Sequence, residues 1–249
     1  MKLTDQQKER FRQDGFVRVR NAIPLELLDP ALRAINHSVG EGISAEEILR
    51  TRSTSYCKEL QNDPVILDLL HESAAWQLVQ SAIGEGKVQR AKSGQIALRF
   101  PASKLEPRAP WPHLDGMHTP NNGVPEGVIR NFTMLVGIAL SDVPKPYSGN
   151  LSVWPGTHYV YEEYFREKTP QSLLCGMPEV TLPESQQLTV EKGDLLLVHY
   201  QVAHGAAVNL SPNVRYAVYF RLKHVDHDRD PWGAMTDIWR DWEGMNGEV

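Results

Sequence analysis

The chain has 249 residues, of which 41% are hydrophobic and 23% are charged, and its formal net charge at pH 7 is −5. These values are typical of a folded globular protein and exclude the disordered, collagen-like and disulfide-rich classes, while the lack of a basic excess argues against nucleic acid as a partner. The first ten residues lack the apolar core of a signal peptide, and no stretch approaches the roughly 18 apolar residues of a membrane span. The two cysteines, Cys57 and Cys175, lie far apart, which fits a reducing compartment better than a disulfide scaffold. We therefore expect a cytoplasmic protein without a membrane partner.

The first 20 residues predict a helix followed by a strand. Thr4 and Gln7 form a capping box at the start of the helix, and Gly15 is suited to end it in the left-handed conformation. Apolar and polar residues then alternate from Phe16 to Val19, which is typical of a strand.

Further helices are predicted up to about residue 86. Pro24 and Pro30 are suited to the first turns of two separate helices. Ser44 with Glu47 forms a second capping box, and Asp63-Pro64 precedes apolar residues at helical spacing. We therefore expect a helical support layer here.

From about Val88 the sequence changes to short β-rich runs separated by Pro, Gly and Asn. The runs are Ile96 to Phe100, Phe132 to Leu140, Leu151 to Trp154, Gln187 to Val190, Leu195 to Tyr200, Ala206 to Leu210 and Tyr216 to Leu222. A hairpin turn is predicted at Glu191 to Asp194, and a short helix at Met235 to Trp242. The pattern favours a β-sandwich or barrel within a mainly β, α+β protein.

A candidate metal-binding pair lies in the segment Trp111 to Gly116. Side chains two positions apart on an extended strand point the same way, so His113 and Asp115 can present a nitrogen and an oxygen to one ion. A non-haem Fe(II) centre needs two histidines and one carboxylate, so the third ligand must be a distant histidine.

The segment around His204 supplies a candidate for that ligand. Arg215 follows His204 by 11 positions and begins the apolar run Tyr216 to Phe220. An arginine that faces inward needs an anion, because burying an unpaired charge costs several kcal/mol. We therefore expect His204 and Arg215 to face one cavity, with the arginine holding the far carboxylate of a dicarboxylate cosubstrate.

These residues belong to a wider set that resembles the phytanoyl-CoA dioxygenase family of Fe(II)/2-oxoglutarate oxygenases over residues 5 to 222. The set consists of Phe11 with Asp14-Gly15-Phe16, His113-Leu114-Asp115, Gly149-Asn150-Leu151, Trp154-Pro155-Gly156-Thr157-His158, His204 and Arg215. The resemblance implies a double-stranded β-helix, or jelly roll, backed by helices. No Gly/Ser/Pro-rich linker separates the helical and β-rich parts, so we expect one domain over residues 1–249, with helical support at 1–86, the jelly-roll core at 87–223 and a C-terminal extension at 224–249.

The resemblance implies roles for individual residues. His113, Asp115 and His204 would bind Fe(II), and Arg215 would bind the C5 carboxylate of 2-oxoglutarate. Thr133 would assist Arg215, and Gln95 and Arg99 would line the site on the strand before the metal-binding pair. The expected reaction uses O2 and hydroxylates a C–H bond of a small-molecule substrate, with formation of succinate and CO2.

Two positions depart from the family pattern. Leu114 stands where glutamine is common, and Ala206 stands where serine is common, so two hydrogen bonds to the cosubstrate are expected to be missing or replaced. Asp115 is present where halogenating relatives have a small residue, which disfavours halogenation.

Candidate substrate contacts are less specific. The residues are His118, in a loop from Gly116 to Arg130 that we expect to cover the site, together with Trp111 and Trp154, which are also suited to a core role. His158 and His199 are expected to be structural. Two alternatives stay open: a non-catalytic jelly-roll binding protein, and a cupin-type metalloenzyme that does not use 2-oxoglutarate.

Overall fold

The computed structural model describes residues 1–43, 54–102, 104–120 and 122–245, so the predicted Ser44–Glu47 capping box lies outside the described residues. The α-helices in this part of the chain are α1 (Asp5–Asp14), α2 (Leu25–Gly40), α3 (Pro64–His71), α4 (Ala74–Ile83), α5 (Thr157–Lys168) and α6 (Gly233–Thr236). Short 3-10 helices lie at Lys58–Leu60, Pro170–Cys175, His227–Arg229 and Glu243–Met245.

The predicted helix starts are confirmed at two places and wrong at one. The capping box of Thr4 and Gln7 is formed, and Gly15 ends α1 with a φ of 78°. Asp63 caps α3 by accepting a hydrogen bond from the backbone N–H of Val65. Pro30 lies inside α2 and does not begin a separate helix, because α2 continues past it to Gly40.

Two antiparallel sheets form the centre of the protein. The strands are β1 (Phe16–Val19), β2 (Gln95–Arg99), β3 (Met134–Ala139), β4 (Leu151–Val153), β5 (Gln186–Gln187), β6 (Leu195–His199), β7 (His204–Ala206) and β8 (Arg215–Leu222). One sheet has the order β1-β6-β3-β8-β2 and the other has the order β5-β4-β7. This arrangement confirms the predicted jelly roll.

The turn at Glu191 to Asp194 carries the chain from one sheet to the other. It was expected to join a hairpin, but β5 pairs with β4, whereas β6 pairs with β1 and β3. The expectation is wrong because the sequence pattern shows which strands follow one another along the chain, but it does not show which strands pair in a sheet.

Strand alternation divides the large sheet into two faces. Val218 and Phe220 of β8 belong to a buried cluster that includes the N-terminal helices. Leu135 of β3 and Leu196 of β6 belong to a second cluster, which includes Val153 of the small sheet. The helices therefore support one face, and the space between the sheets remains for a site.

The C-terminal segment packs on α1 and β6. A helix was predicted here at Met235 to Trp242, but the observed helix α6 is shorter and begins earlier, at Gly233–Thr236. The ring of Trp242 lies 5.0 Å from that of Phe11 and stacks at 5.1 Å on His199. No helix among the described residues has both the length and the apolar character needed to cross a membrane.

His158 and His199 are buried beneath this segment. Burial lowers the pKa of His158 to about 4 and that of His199 to about 3, the second also because His158 lies beside it. The Nε2–H of each ring donates to a backbone carbonyl oxygen, that of Arg12 for His158 and that of Ile238 for His199. Both histidines are therefore neutral parts of the core.

The free energy of unfolding is expected to fall as the pH is lowered from about 6.5 to 5. In this range the unfolded chain binds protons on both histidines and the folded chain does not, so each contributes a loss of about 2 kcal/mol at pH 5. Urea unfolding at several pH values gives the free energy of unfolding, and its slope against pH gives the number of protons taken up on unfolding. His158→Gln should reduce the uptake by about one proton, and an unchanged uptake would show that His158 is protonated in the folded state.

Candidate metal centre

His113 and His204 are held side by side by backbone pairing. The N–H of His113 donates to the carbonyl of His204 at 2.9 Å, and the N–H of His204 donates back at 3.1 Å. The two imidazole centroids are consequently 4.6 Å apart. One ligand comes from the start of β7 and the other from the segment that runs beside it.

Gly205 permits this close approach. A Cβ atom built on Gly205 would lie 2.5 Å from the carbonyl oxygen of Trp111, which is a backbone atom and cannot rotate away. Any side chain at position 205 would therefore push the segment that carries His113 away from β7. The glycine fixes the spacing of the two histidines.

Asp115 completes a three-residue cluster. Its Oδ1 atom lies 3.5 Å from Nε2 of His113 and 3.6 Å from Nε2 of His204. One ligand atom from each residue can be chosen so that all three lie within 4.8 Å of one another. Two imidazole nitrogens and one carboxylate oxygen are the donor set of non-haem Fe(II) centres, so the residues fit that metal.

The protonation states also suit metal binding. Burial would raise the pKa of Asp115, but the charge of Arg221 and the contacts with His204 and His113 hold that pKa well below its usual range. Nδ1 of His204 lies 3.0 Å from the carbonyl oxygen of Val202. Because a carbonyl oxygen can only accept, this hydrogen bond requires the proton to be on Nδ1. Nε2 of His204, which faces Asp115, is then the nitrogen that remains to bind a metal.

Arg221 was missed by the sequence analysis. Its Nε and Nη2 atoms donate to Oδ2 of Asp115 at 2.9 and 2.8 Å, and its Nη1 atom donates to Oε1 of Gln95 at 2.9 Å. Arg221 shares the inward face of β8 with Arg215, Ala217 and Tyr219, since residues two apart lie on one face. That alternation was a usable signal for finding it.

The cluster opens into a cavity of about 120 Å³ between the two sheets. Its lining residues are Gln95, Ala97, Arg99, His113, Asp115, Leu135, Leu151, His204, Gly205, Ala206, Tyr219 and Arg221. Gln95 and Arg99 therefore line the site as expected, whereas their role toward a cosubstrate stays a prediction. Ala206 lies in the lining with no side-chain hydrogen bond to offer.

Arg215 is buried but is not among the residues that line this cavity, although we expected it to face the same cavity as His204. Its Nε donates to the carbonyl of Gly149 at 2.8 Å and its Nη1 to that of Ala97 at 3.1 Å. Arg99 lies directly opposite it in the β2–β8 pairing, so the two cations share a face. Like charges in this position repel, so an anion between them would be stabilised.

Thr133 cannot assist Arg215. Its N–H bonds to the carbonyl of Leu222, at the opposite end of β8 from Arg215, which places the two roughly 20 Å apart along the strand. The Thr133 hydroxyl instead donates to Asp241 at 3.3 Å and accepts from the N–H of His224 at 2.9 Å. The expectation failed because sequence position on β3 does not reveal which end of β8 lies beside it.

Two predicted substrate contacts, His118 and Trp154, do not line the metal cavity. Nδ1 of His118 bonds to the carbonyl of Val124 at 2.7 Å within its own loop, and the described residues of that loop do not line the metal cavity. Trp154 is 7% exposed and belongs to the buried cluster between the sheets. Trp111 is 84% exposed and lies outside the metal cavity, beside a larger groove.

Solved structures with the same fold support the architecture. HygX from Streptomyces hygroscopicus, solved with nickel and 2-oxoglutarate, is 17% identical with a TM-score of 0.58, over 90% of this chain and 88% of that one. The carbocyclase SnoK of nogalamycin biosynthesis is 18% identical with a TM-score of 0.55, over 87% and 82%. The epimerase SnoN, with Fe3+, alpha ketoglutarate and nogalamycin RO, is 15% identical with a TM-score of 0.53, over 88% and 83%.

Sequence comparison identifies the family. A Dictyostelium discoideum protein that carries the family's name is 28% identical over 78 residues, which is 30% of this chain and 22% of that protein. The family model of phytanoyl-CoA dioxygenase (PhyH) matches residues 11–217 and thus includes every residue of the metal cluster. The chain belongs to the phytanoyl-CoA dioxygenase family.

Proposed function

We propose that this protein is a non-haem Fe(II)- and 2-oxoglutarate-dependent oxygenase that hydroxylates a C–H bond of a small molecule. The main support is the cluster of His113, Asp115 and His204, which lines a cavity that Arg99 also lines. Three protein ligands leave positions free for a cosubstrate and O2. Family membership and the ligands named for HygX and SnoN support the same chemistry.

In this proposal each residue has a separate task. His113, Asp115 and His204 hold Fe(II), which together with 2-oxoglutarate and O2 supplies the oxidising chemistry that yields succinate and CO2. Arg215 binds the far carboxylate of 2-oxoglutarate with its planar fork of donors. The apolar side chains of Leu135 and Leu151 exclude water from the cavity.

Proteins with this fold catalyse different reactions: SnoK is a carbocyclase and SnoN is an epimerase. Hydroxylation is distinguished from these by the gain of one oxygen atom from O2. The test is a metabolite screen for compounds that stimulate succinate formation, followed by mass measurement of the product formed under labelled O2. Stimulated succinate without an added oxygen atom would contradict the hydroxylase assignment and leave the oxygenase class intact.

Arg221→Gln is expected to weaken Fe(II) binding by roughly 10- to 100-fold, the usual effect of removing a partner that orients a metal ligand. The variant loses both hydrogen bonds to Oδ2 of Asp115, so the carboxylate can rotate. Anaerobic equilibrium dialysis measures the affinity. Arg229→Gln, which removes an exposed arginine paired with Asp226, is the matched control; equal affinities in the two variants would exclude a positioning role for Arg221.

A further inference from the structure

A second, larger depression lies beside the metal cavity. This groove has a volume of about 520 Å³, within the range of small-molecule sites. Arg99 and Ala206 line both the groove and the metal cavity, so the two are adjacent. A molecule in the groove can therefore extend one end toward His113 and His204.

The groove wall is rich in apolar side chains. Tyr56, Phe100, Leu105 and Trp111 contribute to it. Trp111 is 84% exposed and Leu105 is 45% exposed, although both are large apolar residues. An exposed tryptophan beside other apolar side chains indicates a binding surface, because covering apolar area with a ligand lowers the free energy of the complex.

The charge of the groove has one sign. Arg99 and Arg108 line it, and no carboxylate does so among the described residues. The chain as a whole carries a net charge of −5, so this local excess of cations is opposite to the average surface. Such a groove favours anions over neutral or cationic molecules.

Hydrogen bonds fix the groove floor. The side-chain amide of Asn209 donates to the carbonyl oxygens of Arg99 and Asn213, both at 2.7 Å, and the N–H of Ala102 donates to the carbonyl of Asn209 at 2.7 Å. These bonds tie the end of β2 to the chain that follows β7. A preformed floor lowers the entropic cost of ligand binding.

We propose that this groove binds the non-reacting part of the primary substrate, and that this substrate is an amphipathic anion with a ring or hydrocarbon body. The apolar body covers Trp111 and Leu105, and the anionic group pairs with Arg108 near the outer end. The inference rests on the proposed function, because it takes the metal cavity as the place of reaction.

Three probes that share a naphthalene ring test the chemistry: 2-naphthoate, 2-naphthyl phosphate and the neutral 2-naphthamide. Their binding to the full-length protein is measured by titration calorimetry under anaerobic conditions with Fe(II) and 2-oxoglutarate present. Both anions should bind more tightly than the amide, and the tighter anion identifies the anionic group. Equal affinity of all three probes, or no saturable binding, would overturn the proposal.

Two variants locate the binding. Trp111→Ala should weaken all three probes by about tenfold, through loss of an aromatic contact and its covered area. Arg108→Gln should weaken the anions by roughly threefold and leave the amide unchanged. Both side chains are at the surface of the groove, so folding should persist, and Leu174→Ala and Arg10→Gln are matched controls outside it. Controls that weaken binding as much as the variants would overturn the location.

The proposed function is followed separately in the same samples. Formation of the Fe(II) chelate of 2-oxoglutarate is read from its visible absorbance. A chelate without probe binding would refute the groove and leave the oxygenase intact. Probe binding of the predicted pattern without a chelate would support anion binding in the groove, refute the oxygenase and thereby overturn the groove's role as a substrate site.

Discussion

His204→Ala is expected to weaken Fe(II) binding by at least about 100-fold and to abolish turnover. Loss of a residue that only orients a ligand costs 10- to 100-fold in metal affinity, so loss of the ligand itself should cost at least as much. His204 is also the ligand with the more buried side chain, at 7% exposed against 46% for His113. The measurement is anaerobic equilibrium dialysis of Fe(II) against the wild type and the variant.

His118→Ala is the matched control for this experiment. His118 lies three residues after Asp115 in the chain, but its ring bonds to its own loop, so metal affinity should stay at the wild-type value. Thermal unfolding of both variants separates loss of a ligand from loss of the fold. If His204→Ala kept its iron and His118→Ala lost it, the cluster would be assigned to the wrong histidine.

Arg215→Ala is expected to weaken 2-oxoglutarate binding by roughly 30-fold to a few thousand-fold, while Fe(II) binding changes little. Removing one partner of a desolvated charge pair costs about 2 to 5 kcal/mol, which gives that range. Arg215→Lys should recover part of the loss, because an ammonium keeps the charge but not the planar fork of donors. Anaerobic calorimetric titration with 2-oxoglutarate in the presence of Fe(II) measures both variants.

Arg99→Gln is the control that decides between two anchors. Arg99 lies directly opposite Arg215 and lines the metal cavity itself. A large loss of cosubstrate affinity in Arg99→Gln with none in Arg215→Ala would move the carboxylate site to Arg99. The same loss in both variants would show that the two arginines hold one anion between them.

The jelly roll could be predicted because its local signals were consistent. Short apolar runs form β6 and most of β8, and the capping residue Thr4 and the αL residue Gly15 mark the ends of α1. Pairing between strands could not be predicted, since Glu191 to Asp194 has the residues of a hairpin turn but connects strands of different sheets. Turn chemistry is local, whereas the choice of partner depends on the whole core.

The metal cluster could be predicted for a similar reason. His113 and Asp115 are two positions apart, so both side chains point the same way on an extended segment, and the spacing of His204 to Arg215 indicated the third ligand. Thr133 failed because its position requires the register of β3 against β8, which places it beside Leu222. Arg221 was missed because an arginine near the end of a strand resembles a solvated residue until Asp115 is seen beside it.

The most direct test of the account is an anaerobic titration followed by visible absorbance. Fe(II) alone and 2-oxoglutarate alone should give no new band, and the two together should give the band of the Fe(II) chelate, with one cosubstrate bound per chain. The band should be absent in Asp115→Ala, which lacks the carboxylate of the cluster. A wild-type protein that binds Fe(II) but forms no chelate with 2-oxoglutarate would contradict the proposed function.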